Sequence, residues 1–334
     1  ALGGVAVGLT HAQDTVTVDF NTSPFEPNED GITPIDEFDG IFGSAQWRED
    51  GGVDGSGYLS ITDNVGGERG TIIFNELSDV PNQAIVEFGF GVDLRAGGGT
   101  ASPADGFSVN LARSSDPVIE SGTGEGFAGT RRLGSTEDNL PEEGTQTGVA
   151  IGLDEWFSGG SDVIGISVAV DDIVVSQVPF PVANGAFDDD QSLQTHLPEF
   201  AGIVPLLEDE LGWARLQVDL VRNPQAGEEG QTSHLLSVTY KTRAVLENFG
   251  INWGASPARV IFAGRTGGSK AYHHADNIEI TTVVASDPTL AVTSSNAFGF
   301  EGAITDTPSR AFDADSPFTA TLDGVDVTAG VVLD

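Results

Sequence analysis

The chain has no cysteine and no methionine among its 334 residues. Disulfides, thiolate metal sites and catalytic thiols are therefore closed to it. Residue 1 is not a translation start, so we expect a processed chain or one that begins partway along a precursor. Basic residues are scarce: 14 Lys plus Arg stand against 51 Asp plus Glu, a net charge of −37. Such a chain cannot neutralise phosphates, which excludes nucleic acid as a partner and disfavours an anionic bilayer. No apolar run reaches the length of a membrane span. Helical periodicity is scarce too, with only Ser192–Thr195 and Leu206–Leu211 reading as short helices.

What is present is β-structure. Glycine is abundant at 44 residues, and short apolar runs alternate with loops of Gly, Asp, Ser and Pro. Strands are expected at Thr15–Phe20, Gly57–Ile61, Thr71–Phe74, Ala84–Asp93, Gly106–Ala112 and Gly148–Asp154. Further strands are expected at Ile164–Val170, Ile173–Gln177, Ala214–Leu220, Leu235–Tyr240, Arg259–Ala263 and Asn277–Val284. In Val86–Val92 and Leu216–Leu220 large apolar residues fall on one face and polar or small residues on the other. About a dozen such strands suit two stacked antiparallel sheets. The expected class is all-β, a two-sheet jelly-roll sandwich over residues 14–284, with a β-rich arm or partial module at 285–334.

Residues 1–13 are apolar and admit two readings. One is the remnant of an export signal, with Thr10-His11-Ala12 as its cleavage site. The other is a strand, Val5–Leu9, that packs on its own domain or on a neighbour. The excess of acids also has two readings. Crowded carboxylates gain from bound cations, calcium first among them, or they serve as a solubility device.

Four stretches, in order, resemble the L-type lectins and the laminin-G-like, concanavalin A-like jelly rolls, in the manner of a secreted bacterial surface protein. They are Ala104-Asp-Gly-Phe107, Gly122–Gly129, Gly148–Trp156 followed by Asp162–Val168, and Val260–Gly268 followed by Tyr272–Ile280. The resemblance spans residues 85 to 284. It implies a sugar site in which Asp105 accepts hydroxyl hydrogen bonds, Gly124 and Gly126 offer backbone N–H groups, and Trp156 supplies an aromatic platform. It also implies a metal loop at Asp154, Glu155 and Asp162, with Asp276 as a further acidic ligand. The departures matter. The family carries Glu where this chain has Gly152, and His where it has Val163. The transition-metal half of the family's paired site is thus expected to be missing, while carboxylates and loop carbonyls still suit calcium by ligand type.

No enzyme is expected. Glycosidases on this fold need two carboxylates facing one another, placed as Glu-x-Asp-x-Glu on one strand face. Here Ile35–Asp39 and Leu153–Trp156 set acids side by side, where adjacent strand residues point to opposite faces. His273-His274 reads as a polar cap before the last strand. Neither a nucleophile elbow nor a phosphate loop occurs. The runs Asn28–Asp30 and Asp188–Asp190, and the pairs Asp313/Asp315 and Asp323/Asp326, read as solvated loops. Two functions remain, both extracellular or at the cell surface. The first is a self-assembling structural or adhesive subunit, joined to other copies of itself by strand exchange through its terminal segments. The second is a glycan-binding lectin module of a larger surface protein.

Overall fold

The computed structural model describes residues 13–23, 38–78, 82–129, 138–158, 162–181, 191–200, 203 and 206–285, and strand segments at 289–296, 299–305, 321–322 and 325–326. Residues 1–12 lie outside this set, as do the runs Asn28–Asp30 and Asp188–Asp190 and residues 313, 315 and 323. The chain divides into two compact units, Ala1–Ala285 and Ser286–Asp334.

The first unit holds fifteen described strands: β1 (Gln13–Val18), β2 (Phe38–Gly43), β3 (Gln46–Arg48), β4 (Tyr58–Thr62), β5 (Arg69–Glu76), β6 (Ile85–Gly97), β7 (Gly106–Arg113), β8 (Val149–Asp154), β9 (Gly165–Val170), β10 (Ile173–Pro179), β11 (Ala214–Arg222), β12 (His234–Tyr240), β13 (Arg243–Ile251), β14 (Ala258–Arg265) and β15 (Tyr272–Val284). They form two antiparallel sheets, the jelly-roll sandwich expected from the sequence. One has eight strands in the order β13-β12-β11-β6-β15-β4-β3, with β1 also on β15; the other has seven, β10-β9-β8-β7-β14-β5-β2. β1 pairs with β15 from Gln13↔Val283 to Val18↔Ile278, so this strand lies in the chain's own sheet.

The core follows from alternation. Phe88, Phe90, Val92 and Leu94 of β6 point inward with Leu216, Val218 and Leu220 of β11. They meet Phe107, Val109 and Leu111 of β7 and Val260 and Phe262 of β14. Burying each such side chain contributes roughly 1.5–3 kcal/mol. β11 and β12 alternate buried with half-exposed residues, so the eight-stranded sheet keeps an open outer face. β7 and β8, by contrast, are buried almost throughout. Their outer face is covered: Ile73, Ala112, Ile261 and Ala263 pack on Val118 and Phe127. Polar outward residues there are also bonded, with Ser108 Oγ donating to the Pro141 carbonyl at 2.6 Å.

Four strands depart from the expectation, each for a local reason. β13 breaks alternation, and its pairing with β12 shifts register twice. β2 carries two glycines and an acid, and β3 has three residues. The last strand begins at Tyr272 rather than Asn277, because His273, His274 and Asp276 are buried inside it with hydrogen-bond partners. Ser192–Thr195 is not a helix; Thr195 bonds the Ala96 main chain instead. Leu206–Leu211 contains a single 3-10 turn, Glu208–Glu210. No described helix is long and apolar enough to cross a membrane. The second unit contains two hairpins, β16 (Thr289–Asn296) with β17 (Gly299–Thr305) and β18 (Thr321–Leu322) with β19 (Val325–Asp326).

Candidate functional site

The site sits where β7, β8 and β14 end together. Gly106 at the start of β7 pairs with Asp154 at the end of β8 and with Arg265 at the end of β14. Asp105 is therefore held from both sides: its N–H donates to the Arg265 carbonyl at 3.1 Å, and its carbonyl accepts from Glu155 N–H at 3.0 Å. The Ala104–Asp105 peptide is cis. Gly267 lies over the Asp105 carboxylate; a Cβ there would stand 3.1 Å from both oxygens. Arg265 Nη1 is 3.4 Å from Asp105, but the guanidinium is committed to Glu142, with Nε at 2.7 and 2.8 Å from its two oxygens. Burial raises the Glu142 carboxyl above its ordinary value, against the pull of Arg265.

Asp154 and Asp162 come together. Burial, followed by the Asp162 charge, pushes the Asp154 carboxyl up to about 10. The Trp156 N–H donates to Asp154 Oδ1 at 2.9 Å, and the Ser158 N–H donates to Asp162. Two carboxyl groups forced into contact either share a proton or hold a cation between them. Hard oxygen donors on a loop suit calcium. Among the described residues no third His, Asp or Glu completes a cluster with them.

Glu155 and Asp276 belong elsewhere: Glu155 follows Asp154 in the chain and points to the opposite side, and Asp276 lies within β15. Glu155 is buried and accepts from His273 Nε2 at 2.9 Å, while the His273 ring stacks on Phe107 with centroids 4.8 Å apart. Thr62 Oγ1 lies 2.7 Å from His273 Nδ1, and Glu155 Oε1 is buried without a hydrogen bond. Asp276 Oδ2 accepts from the Val53 N–H at 2.7 Å and from Ser56 Oγ at 2.9 Å, which ties down the 51–57 loop. Neither carboxylate joins Asp154 and Asp162.

The Gly-rich loop also differs from the expectation. Gly126 N–H and Phe127 N–H both donate to Asn139 Oδ1, at 2.7 and 3.1 Å, so the Gly126 donor is already used. Gly124 is a packing position: its carbonyl accepts from Thr71 at 2.9 Å, and a Cβ there would lie 2.7 Å from the Phe42 ring. Gly152 is another, since a Cβ would lie 2.5 Å from the Glu142 carbonyl oxygen. A glutamate at that position is excluded by the Pro141–Glu143 turn. Trp156 and Phe157 are 43% and 55% exposed, beside Asp105 and Asp154.

A second polar group, unmarked by any sequence motif, lies around His274. His274 Nε2–H donates to Asp63 at 3.0 Å, and Arg95 faces its Nδ1 at 3.4 Å. This arrangement fits a neutral ring, and burial lowers the His274 pKa accordingly, with Arg95 adding to the effect and Asp63 opposing it. Burial alone would raise Asp63, yet the bonds from His274, Ser60 and Arg48 hold it well below the usual carboxylate range. The Arg95 guanidinium lies between the rings of Tyr58 and Trp213, at 5.4 and 4.3 Å.

Several solved structures similar to this chain are lectins. A lectin from Bauhinia forficata, in complex with GalNAc, is 14% identical over 82% of this chain and 99% of its own, with a TM-score of 0.47. The exoplasmic/lumenal domain of VIP36, in its calcium- and mannose-bound form, is 13% identical over 86% of this chain and 96% of its own, at 0.45. The lectin UEA-II, complexed with galactose, is 11% identical over 80% and 98%, also at 0.45. No protein-family model and no curated protein matches the chain. The sandwich itself rests on the strand pairings described above.

Proposed function

We propose that this chain is a non-catalytic, extracellular carbohydrate-binding module whose glycan site is the loop end around Asp105 and Trp156. The observation that carries the reading is the pairing of a fixed carboxylate with an exposed aromatic surface. Asp105 is held by main-chain bonds on both sides and keeps its side chain 14% exposed. One and two residues beyond its bonded neighbour Glu155 stand Trp156 and Phe157, both open to solvent. Sugars present hydroxyl groups to acceptors and C–H faces to aromatic rings, so the two features together suit a glycan. Calcium belongs to the same proposal: Asp154 and Asp162 would hold it with loop carbonyls, neutralise their mutual repulsion and fix the loop that carries Trp156. Glu155 and Asp276 are not among its ligands.

The test is a glycan array probed with wild type, D105A and W156A, each in calcium and in chelator. Both substitutions should reduce retention about tenfold or more, equivalent to one good contact, without lowering the melting temperature by more than a few degrees. Undiminished glycan binding by both folded variants would overturn the assignment.

A further inference from the structure

We propose that the outer face of the eight-stranded sheet carries a separate binding site, a slot for an arginine side chain presented by a basic peptide. A groove of about 340 Å³ runs along β6 there, and it is independent of the loop-end glycan site. Its floor is made by two outward-facing glycines, Gly89 and Gly91. Across the sheet, Asp219 and Thr281 flank Gly89 in register, while Gln217 and Glu279 flank Gly91. The walls on β11 and β15 are two inter-strand spacings apart, about 10 Å, which is one side chain wide.

The chain itself shows what this surface holds. At Gly91 a Cβ would lie 2.2 Å from Arg215 Nη2, so the Arg215 guanidinium occupies the space the missing side chain leaves. That group donates to the Asn277 carbonyl at 2.7 Å and to Glu279 at 3.3 Å, with Asp93 at 3.5 Å. The Gly89 half repeats the design without an occupant among the described residues. There the nearest atom to a Cβ is Asp219 Oδ1, at 3.3 Å. Glu87 stands at the far end, paired with Arg222 at 3.2 Å, and Asp219 takes the Gln217 amide at 3.1 Å. Val221 and Val283 beside Glu87 offer apolar surface to an arginine stem, whose methylenes bury while the charged head seeks acceptors. A planar guanidinium lying on a flat floor matches the Asp219 carboxylate and the Thr281 hydroxyl on its two sides better than an ammonium does. The net charge of −37 draws basic partners toward the face.

The experiment is fluorescence anisotropy with a labelled, glycine-spaced arginine peptide at about 150 mM salt, where diffuse attraction is screened beyond about 8 Å. The lysine version serves as comparison. G89V fills the slot without changing net charge, so the long-range field stays constant. Wild type should prefer the arginine peptide, and G89V should bind it about tenfold more weakly, with an unchanged melting temperature. Equal binding by wild type and G89V overturns the proposal. Should G89V melt early, D219N keeps the shape of the slot and carries the test, and unchanged binding by it overturns the proposal equally. A dimer seen by light scattering and lost in G89V would assign the slot to a second copy and overturn the peptide assignment.

Discussion

Replacing Asp154 with Asn should make the metal-free protein more stable and blind to calcium. In the wild type the Asp154 carboxyl feels the Asp162 charge, with Asp162 buried and Asp154 half-buried. At neutral pH folded Asp154 must take up a proton that the unfolded chain has released, which opposes folding by about 1.4 kcal/mol for each pH unit above 3.8. Asn takes up no proton and avoids this cost. Asn keeps the acceptor for the Trp156 N–H and removes the charge. In chelator at neutral pH, D154N should therefore melt several degrees above wild type. Calcium at about a hundredfold excess over its dissociation constant should stabilise wild type by about 2.7 kcal/mol, which is roughly 5 °C for a unit of this size. The same addition should leave D154N unmoved. The proton gives a second check. Folded Asp154 holds its proton up to about pH 10, whereas the unfolded chain releases it near 3.8. In chelator this contribution is thus complete below the unfolded value and is lost as pH rises toward 10, a slope that D154N abolishes. The assay is differential scanning calorimetry of both proteins across pH, with calcium and with chelator. A wild type unmoved by calcium, together with a D154N that melts lower in chelator, would refute the reasoning.

R265M should destabilise the first unit by roughly 3–5 kcal/mol in urea titrations at neutral pH, because Glu142 would stay buried without its partner. E142Q added to R265M should restore part of that loss, and a double variant no better than R265M alone would contradict the pairing. D63N should cost roughly 1.5–3 kcal/mol at pH 7, since Asp63 takes charge-assisted bonds from Arg48 and His274. Its folded pKa is depressed, so the gap between wild type and D63N is full above the unfolded value of 3.8 and closes as pH falls below it. A gap that stays constant from pH 7 to pH 2 would count against this account.

The sandwich was legible because its central strands alternate without interruption. Leu216–Leu220 and Val86–Val92 read as strands with one apolar face and have one. β13 was not legible because its bulges break the period that reveals a strand. At the site, sequence proximity placed Asp154 and Asp162 in one loop, and the structure sets them against each other. Sequence proximity could not place Glu155, because a strand end sends neighbouring side chains to opposite sides, nor Asp276, whose partners Val53 and Ser56 lie more than 200 residues away. Asn139, Glu142 and Arg265 carry no motif. Their roles depend on a turn that brings the Glu142 carbonyl against Gly152, and the one sequence trace of that approach is the glycine itself. His273 looked like a surface cap because polarity at a strand's edge usually means solvent. It is instead buried, with Glu155 and Thr62 on its two ring nitrogens.

The bond from His273 to Glu155 has a mechanical consequence. His273 belongs to β15 of one sheet, and Glu155 follows β8 of the other. Most of the core between the sheets is apolar, and apolar contact has no preferred direction, so it resists separation better than sliding. A charge-assisted hydrogen bond is directional and short. A slip of one residue along a strand, about 3.3 Å, would break it and strand both groups away from water. This bond therefore works as a key between two plates. It fixes the alignment of the loops at this end, as the bond from Ser176 Oγ to the Val245 carbonyl ties β10 to β13.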